Sequence, residues 1–208
     1  MITLGIVGLG YWGPNLLRNF VQLPECRVKV CCDLDARLLA KIKEQYPYLA
    51  ITDNYDTLLG DSEIEAIVIA TPARTHYALV PKTLQHGKHL FVEKPLTLNV
   101  QHAVDLVRLS EETERTLMVG HLMEYHPAVE KLKTLIQAGE LGQIYYFYAQ
   151  RVNLGKIRHD ETALWSLAPH DLSVAMYLLD SEPENVSARG AAYLQEGIDD
   201  VVFVNLQF

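Results

Sequence analysis

The chain has few of the features that mark an exported, membrane-spanning or nucleic-acid-binding protein. Three cysteines among 208 residues form no even set for disulfides, and two of them, Cys31 and Cys32, are adjacent on a predicted strand. No apolar run approaches the roughly 18 residues that span a bilayer. A strand pattern begins at residue 2, which leaves no room for a signal peptide. We therefore expect a cytoplasmic protein with reduced thiols and no metal site.

The chain also has fewer basic than acidic residues. The chain has 18 lysines and arginines against 26 aspartates and glutamates, a net charge of -8. Nucleic acids and anionic membranes call for a basic face, so this balance argues against both as partners. The apolar content of 49% and the length suit a globular protein with one large or two small domains.

Strand and helix patterns alternate over the first 120 residues. This alternation predicts an α/β fold with a doubly wound parallel sheet of the Rossmann type, in which ligands bind at the carboxyl ends of the strands. The predicted strands cover residues 2–7, 27–32, 51–52, 64–70, 89–92 and 116–120, and the predicted helices cover 14–21, 36–45, 55–59, 77–86 and 100–112.

A G-x-G-x-x-G motif lies between the first strand and the first helix. Its first glycine permits a tight turn, its second lets a pyrophosphate approach the backbone, and its third lets helix and strand pack closely. A glycine-rich turn without a ligand is the alternative, which the strand-to-helix position disfavours. We assign this loop to dinucleotide binding through Gly8, Gly10, Tyr11, Trp12 and Gly13.

Asp33 ends the second predicted strand, 20 residues beyond Gly13. A carboxylate there accepts hydrogen bonds from the adenosine ribose hydroxyls and repels a 2′-phosphate, so NAD is favoured over NADP. Arg37 lies near enough in sequence to weaken that preference. Asp33 as a turn residue or helix cap is the alternative, although Asp35 is equally placed to cap.

Two further polar groups follow predicted strands. Thr71-Pro72 and His76 follow the fourth strand and are candidates for cofactor contact. The alternatives are that Thr71 bonds local backbone and that His76 is a surface helix residue. Glu93-Lys94-Pro95 follows the fifth strand, where Lys94 is placed to bond a substrate hydroxyl or the nicotinamide ribose, and Glu93 to contact the cofactor.

Residues 121–208 predict a second, smaller α+β domain after the first domain at 1–120. Its patterns indicate a helix at 127–138, a strand at 144–151, a helix at 172–179 opened by His170-Asp171, and strands at 186–193 and 200–208 in an open, mainly antiparallel sheet. The loop between the first strand and the second helix carries three polar residues, Arg151, Asn153 and Arg158, which suit binding of an anionic sugar or a diphosphate. The alternative is a solvated surface loop.

The motif set, in this order, resembles the glucose–fructose oxidoreductase/inositol dehydrogenase/rhizopine catabolism (Gfo/Idh/MocA) family across essentially the whole chain. The resemblance implies a Rossmann domain with NAD, a substrate domain, and a catalytic histidine at His170, where residues alone would favour a structural histidine. The run at 164–171 is similar to the branch that oxidises nucleotide-linked amino sugars. The matching positions are the glycine loop, Asp33, Thr71-Pro72, His76, Glu93-Lys94-Pro95, and residues 120–121, 139–142 and 168–171.

Two features depart from the family pattern. Members commonly carry an aspartate four residues before the catalytic histidine, where this chain has Ser166, which can still bond a substrate but supplies no charge. Members are also much longer, and this chain stops within an apolar strand pattern. We expect either a shortened chain or a minimal form whose strand edge is covered by another copy, as a homo-oligomer through the C-terminal sheet.

The sequence thus predicts an NAD-dependent oxidoreductase acting on a secondary hydroxyl of a sugar, one linked to a nucleotide in the narrower hypothesis. Lys94 and His170 are the predicted catalytic residues, because imidazole, with a pKa of about 6.5, suits removal of the hydroxyl proton. The alternatives are a non-catalytic NAD-binding protein or subunit and an inositol-type polyol dehydrogenase.

Overall fold

The computed structural model describes residues 1–152 and 161–208, so Asn153 and Arg158 lie outside the described residues. The chain divides into two compact units, Met1–Gly120 and His121–Phe208.

The first unit is a six-stranded parallel sheet with helices between its strands. The strand order is β3-β2-β1-β4-β5-β6, so the chain winds outward from β1 in one direction and then from β4 in the other, which confirms the doubly wound fold. The strands are β1 (Ile2–Val7), β2 (Cys26–Cys32), β3 (Ala50–Thr52), β4 (Ala66–Ile69), β5 (His89–Val92) and β6 (Leu117–Val119). The helices are α1 (Gly13–Gln22), α2 (Ala36–Gln45), α3 (Asp56–Gly60), α4 (His76–Gln85) and α5 (Val100–Glu112).

Consecutive strand residues supply two cores, one on each side of the sheet. Ile6 packs in the core beneath α1 and α2, whereas Val7 packs in the core that includes residues of α3, α4 and α5. Cys31 and Cys32 divide between the two cores in the same way, because side chains alternate across a strand. Both thiols are buried, and desolvation raises the pKa of Cys31 to about 12 and that of Cys32 to about 11.

A buried lysine secures the turn that leads into β4. The Nζ of Lys88 donates to the carbonyls of Asp61 at 2.7 Å and Ile64 at 2.9 Å, and the residue is 6% exposed. The desolvation of this ammonium lowers its pKa. Since both carbonyls belong to the segment before β4, Lys88 ties the start of β5 to the start of its neighbour.

Within its described residues, the second unit has two α-helices, a short 3-10 helix (Leu122–Tyr125) and a two-stranded antiparallel sheet. The α-helices and strands are α6 (Pro127–Gln137), α7 (Ala163–Leu179), β7 (Asn185–Ala191) and β8 (Val201–Gln207). The strands pair from Asn185 with Gln207 to Ala191 with Val201. Helix α6 packs against α7, where the Nζ of Lys133 donates to the Tyr177 carbonyl at 2.5 Å in the last turn of α7.

Two sequence predictions for this unit are wrong. Residues 144–151 form no strand, because no described strand pairs with this segment. Tyr145, Tyr146 and Tyr148 are exposed. Helix α7 begins at Ala163, capped by the Thr162 side chain, and not at residue 172. Asp171 is therefore in mid-helix and is not a cap.

Among the helices of the described ranges, none combines the length and apolarity needed to cross a membrane.

Replacing Lys88 by methionine should lower the free energy of unfolding by about 1–3 kcal/mol, because two buried carbonyls lose their donor. Urea denaturation followed by circular dichroism measures the change. Lys41→Met, at an exposed position of α2, is the matched control and should change stability by less than about 0.5 kcal/mol. Equal midpoints for the two variants would contradict the anchoring role.

Candidate functional site

The glycine loop brings strand β1 and helix α1 into unusually close backbone contact. Gly8 has a φ of +91°, and a Cβ there would lie 2.7 Å from the Ala70 carbonyl carbon and the Thr71 nitrogen at the end of β4. A Cβ on Gly13 would overlap the carbonyl oxygen of Gly8. Both positions therefore require glycine, one for its φ and both for the close approach.

The loop leaves space where the sequence predicts a pyrophosphate. Within the described residues, nothing lies within 4 Å of the position that a Cβ on Gly10 would take. Of the described side chains, none caps α1, and its first turn contains no acidic residue. An open helix N-terminus beside an open glycine favours an anion, so these residues fit a dinucleotide phosphate.

Asp33 follows β2 and reaches across to the glycine loop. Its Oδ2 accepts the Leu9 backbone N–H at 2.6 Å, and its Oδ1 accepts the Asp35 N–H at 2.8 Å. The carboxylate thus fixes the loop from the β2 side, and each oxygen retains a lone pair that can accept a further hydrogen bond. Asp33 does not cap α2, since Asp35 does so by accepting the Arg37 N–H.

Arg37 is held away from Asp33 by its own ion pair. Its Nε and Nη2 donate to Asp35 at 3.0 and 2.7 Å, and this bond lowers the pKa of Asp35 to about 2. The guanidinium is exposed. A 2′-phosphate would have to compete with Asp35 for it.

His76 is buried inside the first unit, so the surface alternative is wrong. The ring is 0% exposed, with Nε2 at 2.9 Å from the Thr71 carbonyl and Nδ1 at 3.0 Å from that of Pro95. The Thr71 hydroxyl bonds the Thr75 hydroxyl at 2.7 Å, which is a local side chain and not the backbone that the alternative for Thr71 named. Direct cofactor contact by Thr71, Pro72 and His76 stays a prediction.

Glu93 interacts with Trp12 of the glycine loop and with Lys94. Its carboxylate accepts the Lys94 backbone N–H at 3.3 Å, and its interaction with the Trp12 side chain lowers its pKa. A Cβ on Gly120 would lie 3.2 Å from Glu93 Oε1, so glycine makes room for the carboxylate at the end of β6. Burial raises the pKa of Glu93, against the opposing effects of Lys94 and Trp12. The Lys94-Pro95 peptide bond is cis.

The second unit carries Ser166 and His170 on α7. The two lie four residues apart, which places them on one face of the helix. Pro169 lies inside the same helix and has no N–H for the Trp165 carbonyl. The predicted catalytic histidine therefore lies within a helix and not at its start.

Arg151 is engaged with the residue next to His170. Its Nε donates to Asp171 Oδ2 at 3.0 Å and its Nη2 to Oδ1 at 2.8 Å, which forms a bidentate pair. This pair raises the pKa of Arg151. Spacing alone offers no signal for it, because the two residues are 20 apart in sequence.

Sequence reasoning also missed how the site is tied together. The contacts of His76 join residues from separate loops, and no local sequence pattern predicts them. Across residues 1–152 and 161–208, no group of three or more His, Cys, Asp or Glu side chains could hold a metal ion.

The fold and the strand-end residues define a dinucleotide-binding protein of the Rossmann class. A family model described as an oxidoreductase family with an NAD-binding Rossmann fold matches residues 2–121, and a Gfo/Idh/MocA C-terminal domain model matches residues 129–208. The chain belongs to the Gfo/Idh/MocA oxidoreductase family, and its first unit is the NAD-binding domain.

Three relatives illustrate the range of the family. A 2,7-anhydro-N-acetylneuraminate hydratase of Mediterraneibacter gnavus is 31% identical over 100% of this chain and 59% of its own length. A scyllo-inositol 2-dehydrogenase (NAD(+)) of Bacillus subtilis is 34% identical over 91% and 57%. A UDP-N-acetylglucosamine 3-dehydrogenase of Acidithiobacillus ferrooxidans is 30% identical over 94% and 60%. The chain thus spans about three fifths of the length of these relatives.

Solved structures show the same fold. GenD2 from gentamicin A biosynthesis, in complex with NAD, superposes with a TM-score of 0.90 at 21% identity, over 100% of this chain and 62% of that one.

Replacing Glu93 by glutamine should raise the denaturation midpoint above that of the wild type, increasingly so as the pH rises. Burial raises the folded-state pKa of this carboxyl above its ordinary value of 4.5. Its contribution to stability is therefore complete below pH 4.5 and is lost as the pH passes the raised pKa. Urea midpoints between pH 4 and pH 8 measure the difference.

Glu65→Gln is the matched control, because the exposed Glu65 carboxylate also accepts a backbone N–H, from Thr3 at 2.9 Å. A Glu93→Gln effect that does not change with pH would contradict the assignment of the shift to burial.

Proposed function

We propose that the chain is an NAD-dependent oxidoreductase that transfers a hydride between nicotinamide and a secondary hydroxyl of a sugar or related polyol. The observation that carries the proposal is the convergence of the glycine loop, Asp33 and Glu93-Lys94 at the carboxyl ends of β1, β2 and β5. Parallel strands of one sheet bring these groups to one edge, where this class of fold binds its cofactor.

The cofactor half of the proposal has a distinct role for each residue. The glycine loop and the α1 N-terminus receive the pyrophosphate, and Asp33 accepts the ribose hydroxyls. Tyr11 and Trp12 line the loop, and Tyr11 is 93% exposed. NAD, when bound, supplies the hydride acceptor.

Lys94 and His170 are the proposed catalytic residues. Lys94 donates to the substrate hydroxyl oxygen and orients it, as a point charge at the end of β5. His170 takes the hydroxyl proton as the C–H hydride leaves, so the carbinol loses a proton and a hydride and becomes a carbonyl. In the reverse direction His170 returns the proton.

The substrate class draws support from the relatives. Those at 30–34% identity carry names that specify an inositol, an amino sugar linked to UDP and an anhydro sugar acid, all with ring hydroxyls. A nucleotide-linked amino or uronic sugar is the narrower proposal. Ser166 and the partly exposed Arg151 are its proposed contacts, together with Asn153 and Arg158.

A non-catalytic NAD-binding protein is the second candidate, and Ser166 is the observation that favours it. A serine one turn before His170 supplies no negative charge to orient or tune the imidazole. Binding of NAD by calorimetry, without turnover of any substrate in the panel below, would select this candidate.

Lys94→Met and His170→Ala should each lower kcat/KM by about 100-fold or more, because each removes a group that acts on the hydroxyl proton. Reduction of NAD at 340 nm is followed with inositols, sugars, sugar acids and UDP-sugars. Lys82→Met and His86→Ala, both at exposed positions, are the controls. Full activity in both catalytic variants would refute the mechanism.

The 208-residue chain should bind NADH at least about tenfold more tightly than NADPH, because a 2′-phosphate would face the Asp33 carboxylate. Asp33→Asn removes that repulsion and should narrow the ratio of the two dissociation constants. Fluorescence titration with each reduced cofactor measures both. Equal affinities in the wild type would contradict the assignment.

A cytoplasmic location, the absence of nucleic-acid partners and assembly of copies through the C-terminal sheet stay predictions. For the last, Val186 and Phe203 of the β7–β8 pair are 64% and 72% exposed.

A further inference from the structure

His76 lies between the two strand-end segments that the proposed mechanism uses. It is the first residue of α4, and its ring is completely buried. On one side Nε2 faces the Thr71 carbonyl at 2.9 Å, just after β4. On the other, Nδ1 faces the carbonyls of Pro95 at 3.0 Å and Leu96 at 3.2 Å, which directly follow Lys94.

The two ring nitrogens of His76 face different numbers of carbonyl oxygens, two at Nδ1 and one at Nε2. Carbonyl oxygens only accept, so each contact becomes a hydrogen bond only where the ring nitrogen carries a proton. A neutral imidazole has one N–H and can serve one side, whereas an imidazolium serves both. Two carbonyls converge on Nδ1 and one lies at Nε2, so a proton on Nδ1 satisfies more acceptors in a site closed to solvent.

The residues on either side of this contact are already secured by other bonds. Before it, the Glu93 carboxylate accepts the Lys94 N–H at 3.3 Å. After it, the Thr97 hydroxyl donates to the Asn99 carbonyl at 2.6 Å, and the Asn99 side chain caps α5. The Nδ1 contacts therefore hold Pro95 and Leu96, the two residues between Lys94 and Thr97.

We propose that His76 is a positioning residue for Lys94. The Nδ1–H of His76 holds the Pro95 and Leu96 carbonyls and so fixes the backbone that carries the Lys94 ammonium. This assignment rests on the proposed role of Lys94 in orienting the substrate hydroxyl. The positioning role itself requires no contact between His76 and substrate or cofactor.

Two amide variants separate the two sides of the ring. The amide nitrogen of asparagine lies as many bonds from Cα as Nδ1 does, and that of glutamine as many as Nε2. His76→Asn therefore retains a donor for Pro95 and Leu96, and His76→Gln retains one for Thr71. His76→Asn should keep kcat within about threefold of the wild type, whereas His76→Gln should lower kcat by about tenfold or more. The NADH dissociation constant separates this role from the direct cofactor contact predicted for His76. It should stay within about twofold in both variants, whereas a loss of about tenfold or more in both would overturn the positioning role in favour of that contact.

Hydrogen–deuterium exchange reads the same distinction without turnover. In His76→Gln, peptides covering residues 93–98 should exchange faster than in the wild type, while those covering 66–72 are unchanged. His76→Asn should give the wild-type rate over 93–98. If the wild-type protein shows no turnover but this exchange pattern is observed, the proposed function is refuted. The hold of His76 on the backbone next to Lys94 is then still supported.

The wild-type protein supplies a third measurement, which needs no variant to fold. Long-range proton–nitrogen NMR spectra of histidine-labelled protein should show a proton on Nδ1 of His76, assigned by its loss in His76→Asn or His76→Gln. An unprotonated Nδ1 would overturn the proposal. So would equal effects of the two variants on kcat and on exchange over 93–98, which would indicate a purely structural histidine.

Discussion

The close approach of strand β1 and helix α1 is the constraint on which the site depends. With no side-chain atom on Gly8 or Gly13, the first turn of α1 lies directly on the backbone that leaves β1. This contact aims the uncapped helix N-terminus along the edge where β2, β4 and β5 also end. Any side chain at Gly13 would displace the helix and separate the phosphate site from the residues placed to serve the rest of a dinucleotide.

Side chains then join the loops of this edge to one another. Asp33 holds the glycine loop from the β2 side, and Glu93 accepts the backbone N–H of Lys94 at the end of β5. His76 bridges the segments that follow β4 and β5. A carboxylate that is already bonded to backbone has a fixed orientation before a ligand arrives, which reduces the ordering that binding requires.

Sequence patterns predicted the first unit well, because its central strands β1 and β4 are short apolar runs with buried residues on both faces. The second unit was harder to predict, for physical reasons. Residues 144–151 have strand-forming side chains, yet a strand exists only where another pairs with it, and none of the described strands does so. Pro169 suggests a helix boundary by its chemistry, but α7 continues through it. The contacts of Asp33 with Leu9, of His76 with Pro95 and of Arg151 with Asp171 join residues 24, 19 and 20 positions apart, which periodicity does not encode.

The division of adjacent cysteines between the two cores has a practical consequence. Neighbouring thiols that point to opposite sides of a sheet cannot be bridged locally, and each is sealed beneath a layer of helices. Cys26 is only partly buried and begins β2, at the end of the strands away from the nucleotide loops. Cys26 is thus the least buried of the three cysteines, and it is the one to test as an attachment point for a spectroscopic label at the opposite end of the strands from the glycine loop.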